Sequence, residues 1–171
     1  GPAAGVNIFI DDVSVRRKPT PPVTNLVGNP GFETSTSGWV AWGGAVISQT
    51  TAQAHSGAAS GVVTNRTGTW QGPVANMLPV TQSGASYSVS FWARLGVASD
   101  QLFITVKSVC TDTTTAFTQL HAGTATNSAW SQHTGTLVVP ACPLTELSLY
   151  LEGPAIGVDI FLDDVEVFAI P

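Results

Sequence analysis

The sequence predicts an all-β protein, a two-sheet β-sandwich of the jelly-roll type. From residue 25 onward the chain consists of short runs rich in Val, Thr, Phe, Tyr and Trp, separated by clusters of Gly, Pro, Ser and Asn. Among its 171 residues are seventeen Gly and eleven Pro, and only 10% are charged, a composition typical of a turn-rich β protein. The runs fit about ten strands and no helix, and this frequency of strands favours two packed sheets.

The first residues of the chain repeat its last strand. Residues 1–15 read GPAAGVNIFIDDVSV and residues 153–167 read GPAIGVDIFLDDVEV, and eleven of the fifteen aligned positions are identical. We predict that 1–15 is the last strand of a preceding similar module, that 16–23 (RRKPTPPV) is a Pro-rich linker, and that one module occupies 24–171. Alternatively, the first copy is an extra strand that pairs with this fold or with a neighbouring molecule.

The charge pattern argues against two classes of partner. The net charge is −5, and three of the six basic residues are adjacent at 16–18. The remaining basic residues cannot neutralise a row of phosphates, so we do not expect a nucleic-acid partner. The sequence contains no apolar run of eighteen residues, so no membrane-spanning segment is expected.

The two cysteines, Cys110 and Cys142, leave two interpretations open. They lack the companion ligands of a zinc site. In a secreted chain they could form a disulfide across a loop of roughly 30 residues, which a chain-entropy model rates at ~3 to 4 kcal/mol. Two buried thiols are the equally weighted alternative.

Period-2 alternation assigns side chains to faces in two segments. In the segment 147–152, LSLYLE, the three leucines point to the core, which places Tyr150 and Glu152 side by side on the outer surface of a sheet. In the segment 86–95, SYSVSFWARL, the inward residues are Tyr87, Val89, Phe91, Ala93 and Leu95.

The segment NRTGTWQGP at 65–73 combines an arginine and a tryptophan. If it is a strand, Arg66, Gly68, Trp70 and Gly72 share a face, and the small glycines leave the indole ring unobstructed. An exposed aromatic ring can stack on the apolar face of a sugar, while Arg, Glu or Tyr side chains bond its hydroxyls. A core role for Trp70 with a solvated Arg66 is an equal alternative from the residues alone, and the N-x-T triplet at Asn65 is a weaker glycosylation candidate.

The residues give little support to catalysis. The nucleophile, metalloprotease, phosphate-loop and dinucleotide motifs are absent from the sequence, and the three histidines are scattered, as is typical of surface residues. Acidic residues do cluster in the last quarter of the chain, and a pair of them could in principle hydrolyse a glycosidic bond. That chemistry requires a deep cleft with a proton donor of raised pKa, which strand-borne acids on a small module rarely provide.

Several motifs in order resemble carbohydrate-binding module families 4, 9 and 22. They cover residues 25–168 and are NLVGNPGFET (25–34), SGW (37–39), AHSGAAS (54–60), NRTGTWQGP (65–73), YSVSFWARL (87–95), Trp130 with TGTLVVP (134–140), and LYLEGP (149–154) with IFLDDVEV (160–167). The pattern R-T-x-x-W-x-G-P makes family 22, the xylan-binding modules found beside xylanase catalytic domains, the nearest match.

The resemblance implies a concave face that binds β-1,4-xylan and, in some members, mixed-linkage β-glucan. It places the family's cleft tryptophan at Trp70, and its cleft tyrosine and glutamate at Tyr150 and Glu152. It aligns a cleft arginine of the family with Trp42 and a further cleft tyrosine with Phe117, so this cleft would exchange hydrogen bonds for stacking. Trp39, Trp92 and Trp130 fall in segments that the family uses as scaffold.

The resemblance also implies a structural calcium ion near the ends of the module. Its ligands would be Glu33, an acid of the terminal pair with Asp164 favoured, and backbone carbonyls such as those of Gly31 and Ser56, which together offer the oxygen shell that Ca²⁺ requires. A solvated pair of acids at a strand end is the alternative for Asp163 and Asp164.

From these observations we expect a non-catalytic, monomeric, secreted module that holds a glycoside hydrolase on plant cell-wall polysaccharide. Its partners would be xylan, xylo-oligosaccharides, mixed-linkage β-glucan and neighbouring modules of the same polypeptide. The alternatives are a small glycan-active enzyme that uses Glu152 with another acid, and a structural or adhesive tandem module.

Overall fold

The computed structural model describes residue 5 and residues 24–171 of the chain. In this part ten strands form two antiparallel five-stranded sheets and no helix is present, so the predicted all-β sandwich is confirmed. It follows that no described helix could cross a membrane. The predicted repeat strand 1–15 and linker 16–23 lie outside the described residues apart from Gly5, and their roles stay predictions.

The first sheet has the strand order β1-β4-β9-β6-β7. Its strands are β1 (Trp39–Ala41), β4 (Pro73–Asn76), β6 (Asp100–Cys110), β7 (Thr115–Ala125) and β9 (Leu144–Glu152). The second sheet has the order β2-β3-β10-β5-β8. Its strands are β2 (Val46–Thr50), β3 (Ser60–Thr64), β5 (Ser86–Leu95), β8 (Ser131–Val138) and β10 (Ile160–Ala169).

The core lies between the sheets and is formed by the alternate residues that the sequence predicts. In β9, Leu147, Leu149 and Leu151 are fully buried, and in β5 the five predicted inward residues are at most 3% exposed. Trp39 also lies in this core, edge-on to Phe91, which confirms its scaffold role. Burial of one such leucine stabilises the fold by about 2 kcal/mol, so these residues fix which face of each strand points to the core.

A disulfide joins Cys110 and Cys142, with an S–S distance of 1.96 Å. Cys110 is the last residue of β6, and Cys142 lies in the connection that leads into β9. The bond therefore links two neighbouring strands of the first sheet at one end and decides between the two interpretations of the cysteines.

Candidate carbohydrate-binding cleft

A depression of about 530 Å³ lies on the outer face of the first sheet. We call it the cleft; its lining residues are Trp42, Trp70, Lys107, Phe117, Tyr150 and Glu152. Strands β6, β7 and β9 supply four of them. On β6 and β9 they follow from alternation, because the intervening residues, such as Val106, Leu149 and Leu151, are buried in the core. Trp42 follows β1, and Trp70 precedes β4. Five of the six residues were predicted from the sequence, and the structure brings them together.

Tyr150 forms the floor of the cleft and is more buried than predicted. The alternation placed it on the correct face of β9, but its exposed fraction is only 2%. The ring of Trp42 covers it, with the ring centroids 4.4 Å apart at an angle of 48°. The expectation of an exposed tyrosine was therefore wrong, because alternation within one strand cannot show that an aromatic ring from another segment lies above.

Burial raises the pKa of the Tyr150 hydroxyl strongly, and the neighbouring Glu152 carboxylate raises it further by charge and by accepting a hydrogen bond. The hydroxyl is therefore a permanent donor at any physiological pH. Glu152 also accepts a hydrogen bond of 2.6 Å from the hydroxyl of Thr105, which lies opposite Tyr150 on β6. The carboxylate is thus oriented from two sides and offers acceptor oxygens in a fixed position.

Trp70 and Phe117 are the exposed aromatic rings of the cleft, at 49% and 63% exposure. The indole of Trp70 lies close to two glycines. A Cβ atom at Gly68 would come within 2.7 Å of its ring nitrogen, and one at Gly43 would overlap its six-membered ring. Gly43 also has a φ of +64°, which favours glycine on its own account. As predicted, the absence of a side chain at Gly68 leaves room for the indole ring. At Gly72 the absence of a side chain instead allows the backbone to approach the Leu151 carbonyl.

Arg66 does not lie in the cleft, and its assignment as a sugar-binding residue is corrected. Residues 65–72 form a loop, so alternation does not apply to them. Arg66 is 2% exposed, and its guanidinium donates hydrogen bonds to five backbone carbonyls, those of Thr69, Gln71, Pro154, Ala155 and Val158. Burial lowers its pKa, while the charges of Asp100 and Asp159 oppose that shift.

Gln71, which sequence reasoning missed, acts with Arg66. Its side chain is buried, accepts hydrogen bonds from the backbone N–H groups of Thr67 and Gly68, and donates one to the carbonyl of Gly43. Arg66 and Gln71 therefore fix the loop that carries Trp70 and join it to the glycine turn beside it. Their role is to position the platform, not to form it.

Lys107 is the lining residue that the sequence analysis missed. It lies opposite Phe117 in the pairing of β6 with β7. Its Nζ atom is 2.7 Å from a carboxylate oxygen of Glu146 and 5.8 Å from the centroid of the Trp42 ring. Alternation from the buried Val106 would have placed Lys107 on the outer face, but nothing in the sequence indicates which residues surround it.

The predicted calcium ligands lie close together at a bulge of β10. The pairing of β10 with β5 shifts between Asp163 and Glu166, and Asp164 adopts a φ of +44°. The Ser56 hydroxyl donates a hydrogen bond of 2.7 Å to Oδ1 of Asp164. A Cβ atom at Gly31 would lie 3.9 Å from that same oxygen and 3.9 Å from the Glu33 side chain.

This donor set fits a hard cation in part. The side chains are oxygen donors, as Ca²⁺ requires. Among the described residues, however, no three acidic, histidine or cysteine side chains are grouped closely enough to hold a metal. Glu33 accepts hydrogen bonds from the amides of Ala58 and Ala59, and His55 lies 2.6 Å from the second oxygen of Asp164. Carbonyl oxygens and water would have to complete the shell, and the calcium site stays a prediction.

Two half-buried tryptophans, Trp92 and Trp130, form a separate cluster with His55. Trp92 stacks on His55 with the centroids 3.8 Å apart, and Trp130 lies edge-on to the same imidazole. These contacts agree with the scaffold role that the family resemblance implies for both tryptophans. Neither of them lines the cleft.

Comparison with known proteins gives consistent matches. A family model described as a carbohydrate binding domain matches residues 24–157. The CBM22-1 xylan-binding domain of Paenibacillus barcinonensis Xyn10C superposes with a TM-score of 0.77 at 28% identity, over 82% of this chain and 91% of that domain. Another xylan-binding domain from family 22 superposes with a TM-score of 0.74 at 23% identity, over 82% of this chain and 92% of its own, and supports the fold.

The curated relatives are much longer proteins. Endo-1,4-beta-xylanase A of Thermoanaerobacterium saccharolyticum is 29% identical over 170 residues, which is 97% of this chain and 14% of the xylanase. Endo-1,4-beta-xylanase A of Thermotoga maritima is 26% identical over 164 residues, which is 94% of this chain and 15% of that protein. The chain thus spans about one seventh of the length of these relatives.

Proposed function

The chain belongs to the family of carbohydrate-binding domains, as its motifs predicted, and we propose that its cleft binds β-1,4-xylan without cleaving it. The observation that carries this proposal is the arrangement of the cleft. Two exposed aromatic rings, Trp70 and Phe117, lie beside Glu152, whose carboxylate the Tyr150 and Thr105 hydroxyls hold as an oriented acceptor. The superposed family 22 domain, at 28% identity, is itself described as xylan-binding.

The chemistry of the cleft suits a pyranose chain. The apolar C–H face of a sugar ring packs against an aromatic ring, and each such contact contributes about 0.5 to 1.5 kcal/mol beyond the area that it buries. The hydroxyl rim then bonds the Glu152 carboxylate, and a hydrogen bond to a charged group contributes ~1.5 to 3 kcal/mol. Trp42, at the position of a family arginine, supplies stacking surface where that arginine would supply donors.

The same features support binding without catalysis. Of the described residues that line the cleft, Glu152 alone carries a carboxylate. Glycoside hydrolysis in most families requires two carboxyl groups on opposite sides of the bond, one of them a proton donor of raised pKa. The nearby Glu146 is paired with Lys107. An assay for reducing sugars released from xylan by this chain tests the alternative of a small hydrolase, and sustained release would contradict the proposal.

We propose a range of ligands that includes mixed-linkage β-glucan. Stacking on Trp70, Trp42 and Phe117 would engage the ring face, which xyloses and glucoses share, rather than the substituent that distinguishes them. Calorimetric titration with xylohexaose, soluble xylan, mixed-linkage β-glucan and cellohexaose tests this range. Because this ring face is common to all four ligands, we expect heat with each of them, and absence of binding to every member of the panel would overturn the functional proposal.

In its parent polypeptide the module would target a secreted glycoside hydrolase to plant cell-wall polysaccharide. Support comes from the relatives, which are endo-1,4-beta-xylanases of which this chain matches about 14 to 15%. The disulfide is typical of proteins in oxidising compartments. We also propose that the module acts as a monomer, since its most exposed aromatic rings face the cleft.

We propose finally that Glu33, Asp164, Gly31 and Ser56 hold a structural Ca²⁺. The ion would join the segment before β1 to the bulge of β10, and neutralise acids that lie next to each other. Addition of CaCl₂ after chelation would stabilise the fold, by about 2.7 kcal/mol where the free calcium is about 100 times the dissociation constant. Thermal unfolding with and without calcium measures this, and Asp164→Asn should abolish the difference. An equal shift in the variant would show that the ion binds elsewhere.

A further inference from the structure

A second groove, of about 600 Å³, lies on the outer face of the second sheet. We call it the outer groove. Its floor is a grid of side chains from three paired strands: Phe168, Ser88 and Thr136 form one row, and Glu166, Ser90 and Thr134 form the next. None of these six residues lines the cleft, which lies on the other sheet.

Strand β7 forms one wall of the outer groove, although it belongs to the first sheet. Three of its residues, Thr118, Gln119 and Leu120, line the groove beside β8. Thr118 and Gln119 of β7 are exposed along this wall. The middle of the floor therefore carries small hydroxyl side chains, strand β7 lies along one edge, and the Phe168 ring and Glu166 lie along the opposite edge of the floor.

The polar groups of the outer groove are weakly engaged within the protein. The Ser90 hydroxyl, in a residue only 9% exposed, is 3.4 Å from Glu166 and 3.4 Å from the Gln132 amide nitrogen, and the Ser88 hydroxyl is 3.4 Å from the Phe168 carbonyl. Bonds of this length are weak and exchange readily with a ligand. Glu166, Thr134 and Thr136 are exposed. The groove thus offers hydroxyl donors and acceptors, a carboxylate and one aromatic ring within a single depression.

We propose that the outer groove is a second glycan-binding site, which takes an uncharged chain of pyranose units. The described residues that line it include one acid and no base, so an anionic ligand would be repelled. An apolar peptide would need pockets for its side chains, whereas this floor is flat and carries hydroxyls. The half-buried Phe168 ring provides a stacking surface at one end, and Glu166 beside it provides an acceptor for sugar hydroxyls.

The two sites lie on opposite outer faces of the sandwich, so both can be occupied at once. A module with two sites can hold two chains of a polysaccharide, or two segments of one chain. The second contact then occurs at a high effective concentration, and retention on insoluble xylan exceeds what the cleft alone gives.

Backbone amide NMR with xylohexaose and with cellohexaose tests the second site directly. We expect two separate groups of shifted amides, one around Trp42, Phe117 and Glu152 and the other around Thr134 and Phe168. Shifts confined to the cleft would overturn the second site and leave the proposed function intact. Shifts confined to the outer groove would support the second site and contradict the cleft. Shifts at neither place with either sugar would overturn both, and groove shifts that depend on protein concentration alone would identify a second copy of the chain as the occupant.

Two variants measure the contribution of the outer groove. Phe168→Ala should lower the affinity of the groove about fivefold or more, and Thr136→Arg should block the floor without removing a core contact, since Thr136 is exposed. Both should leave the affinity of the cleft unchanged. The matched control is Val138→Ala, an exposed apolar residue at 63% exposure on the same strand and face. Unchanged groove shifts in both variants would overturn the proposal.

Discussion

Strand β9 and the loop 65–72 both present residues to the cleft, but different interactions hold them. β9 is hydrogen-bonded to β4 on one side and to β6 on the other, and its three leucines are fully buried. The loop lies outside these ladders and is held by the side chains of Arg66 and Gln71, which bond backbone groups. Tyr150 therefore owes its position to a ladder of backbone bonds, whereas Trp70 owes its position to two polar side chains and to isolated backbone bonds, such as that from the Gly153 N–H to the Thr69 carbonyl.

Because they are held differently, strand β9 and the loop 65–72 should respond differently to a single substitution. Backbone bonds of a ladder survive replacement of any outward side chain, so the residues that β9 presents can be altered without loss of the strand. The loop is tied to the segment 154–158 by one buried guanidinium and depends on that residue, because carbonyls in both segments lose their charged donor together. Stability and binding should therefore be separable in β9 and coupled at Arg66.

The largest expected effect is that of Arg66→Ala. Five carbonyls lose a charged donor. Those of Thr69 and Ala155 keep a backbone N–H partner, and burial of the other three without that donor should lower the free energy of unfolding by about 3 kcal/mol or more. The disordered loop would also misplace Trp70, so sugar binding should fall with stability. Urea unfolding and calorimetry on the same sample measure the two effects.

Arg66→Lys serves as the control for charge. An ammonium group carries the same charge but cannot reach the carbonyls that the planar guanidinium serves, so we expect only partial recovery. Full recovery of stability by lysine would show that charge alone, and not the geometry of the donors, holds the loop.

Trp70→Ala should separate binding from stability within the same loop. The ring is half exposed and the loop is fixed by its neighbours, so unfolding should change little. Loss of the stacking platform should weaken xylohexaose binding by about 2 kcal/mol, roughly thirtyfold. Val40→Ala, which removes an exposed apolar side chain of the first sheet at 57% exposure, is the matched control. Normal binding by the Trp70 variant would mean that the platform lies elsewhere.

The contrast between strand and loop also explains what the sequence could predict. Alternation gave the core sets of β5 and β9 correctly, because a paired strand has a fixed period and one buried face. The same rule failed at Arg66, since it assumes a strand that the loop does not form. Side chains that bond distant carbonyls, such as those of Pro154 and Val158, leave no periodic signal.

The cleft was predicted more fully than its supports. Trp70, Tyr150, Glu152, Trp42 and Phe117 came from the family motifs, which record positions without the need for contacts. Burial of Tyr150 beneath Trp42, the Lys107–Glu146 pair and the role of Gln71 were missed. Each depends on two segments that are far apart in the chain, and a single sequence does not show which segments meet.

Lowering the pH should destabilise the fold through strands β7 and β8. His133 on β8 is buried, and its ring lies 3.2 Å from that of His121 on β7, the strand that carries Phe117. Burial and the second histidine lower the pKa of His133 from 6.5 to about 4. Between these values the unfolded chain takes up a proton that the folded chain refuses, so stability falls as the pH falls. From pH 7 to pH 5 the loss from this group is about 2 kcal/mol.

His133→Gln isolates this contribution, because the carboxylates that also titrate are common to both proteins. We expect urea unfolding at pH 7 and pH 5 to show a steeper loss for the native sequence than for the variant. Equal slopes would show that His133 accepts a proton in the folded state. Between pH 7 and pH 5, amide hydrogen exchange corrected for its intrinsic pH dependence should increase most in β7 and β8 and should not change in the loop 65–72.

Glu152→Gln has the smallest expected effect. It changes one carboxylate oxygen of a residue that strand β9 presents to the cleft. Glutamine keeps the size of the side chain and one carbonyl oxygen, which can still accept the bond from Thr105, but it removes the charge. A sugar hydroxyl bonded to a neutral amide in place of a carboxylate should lose about 1 kcal/mol, roughly fivefold in affinity, with stability unchanged because the β9 ladder persists. Asp112→Asn makes the same charge change in the exposed turn between β6 and β7 and should not alter binding. If Glu152→Gln destabilised the fold as Arg66→Ala does, the distinction between a strand that displays its residues and a loop that depends on them would fail.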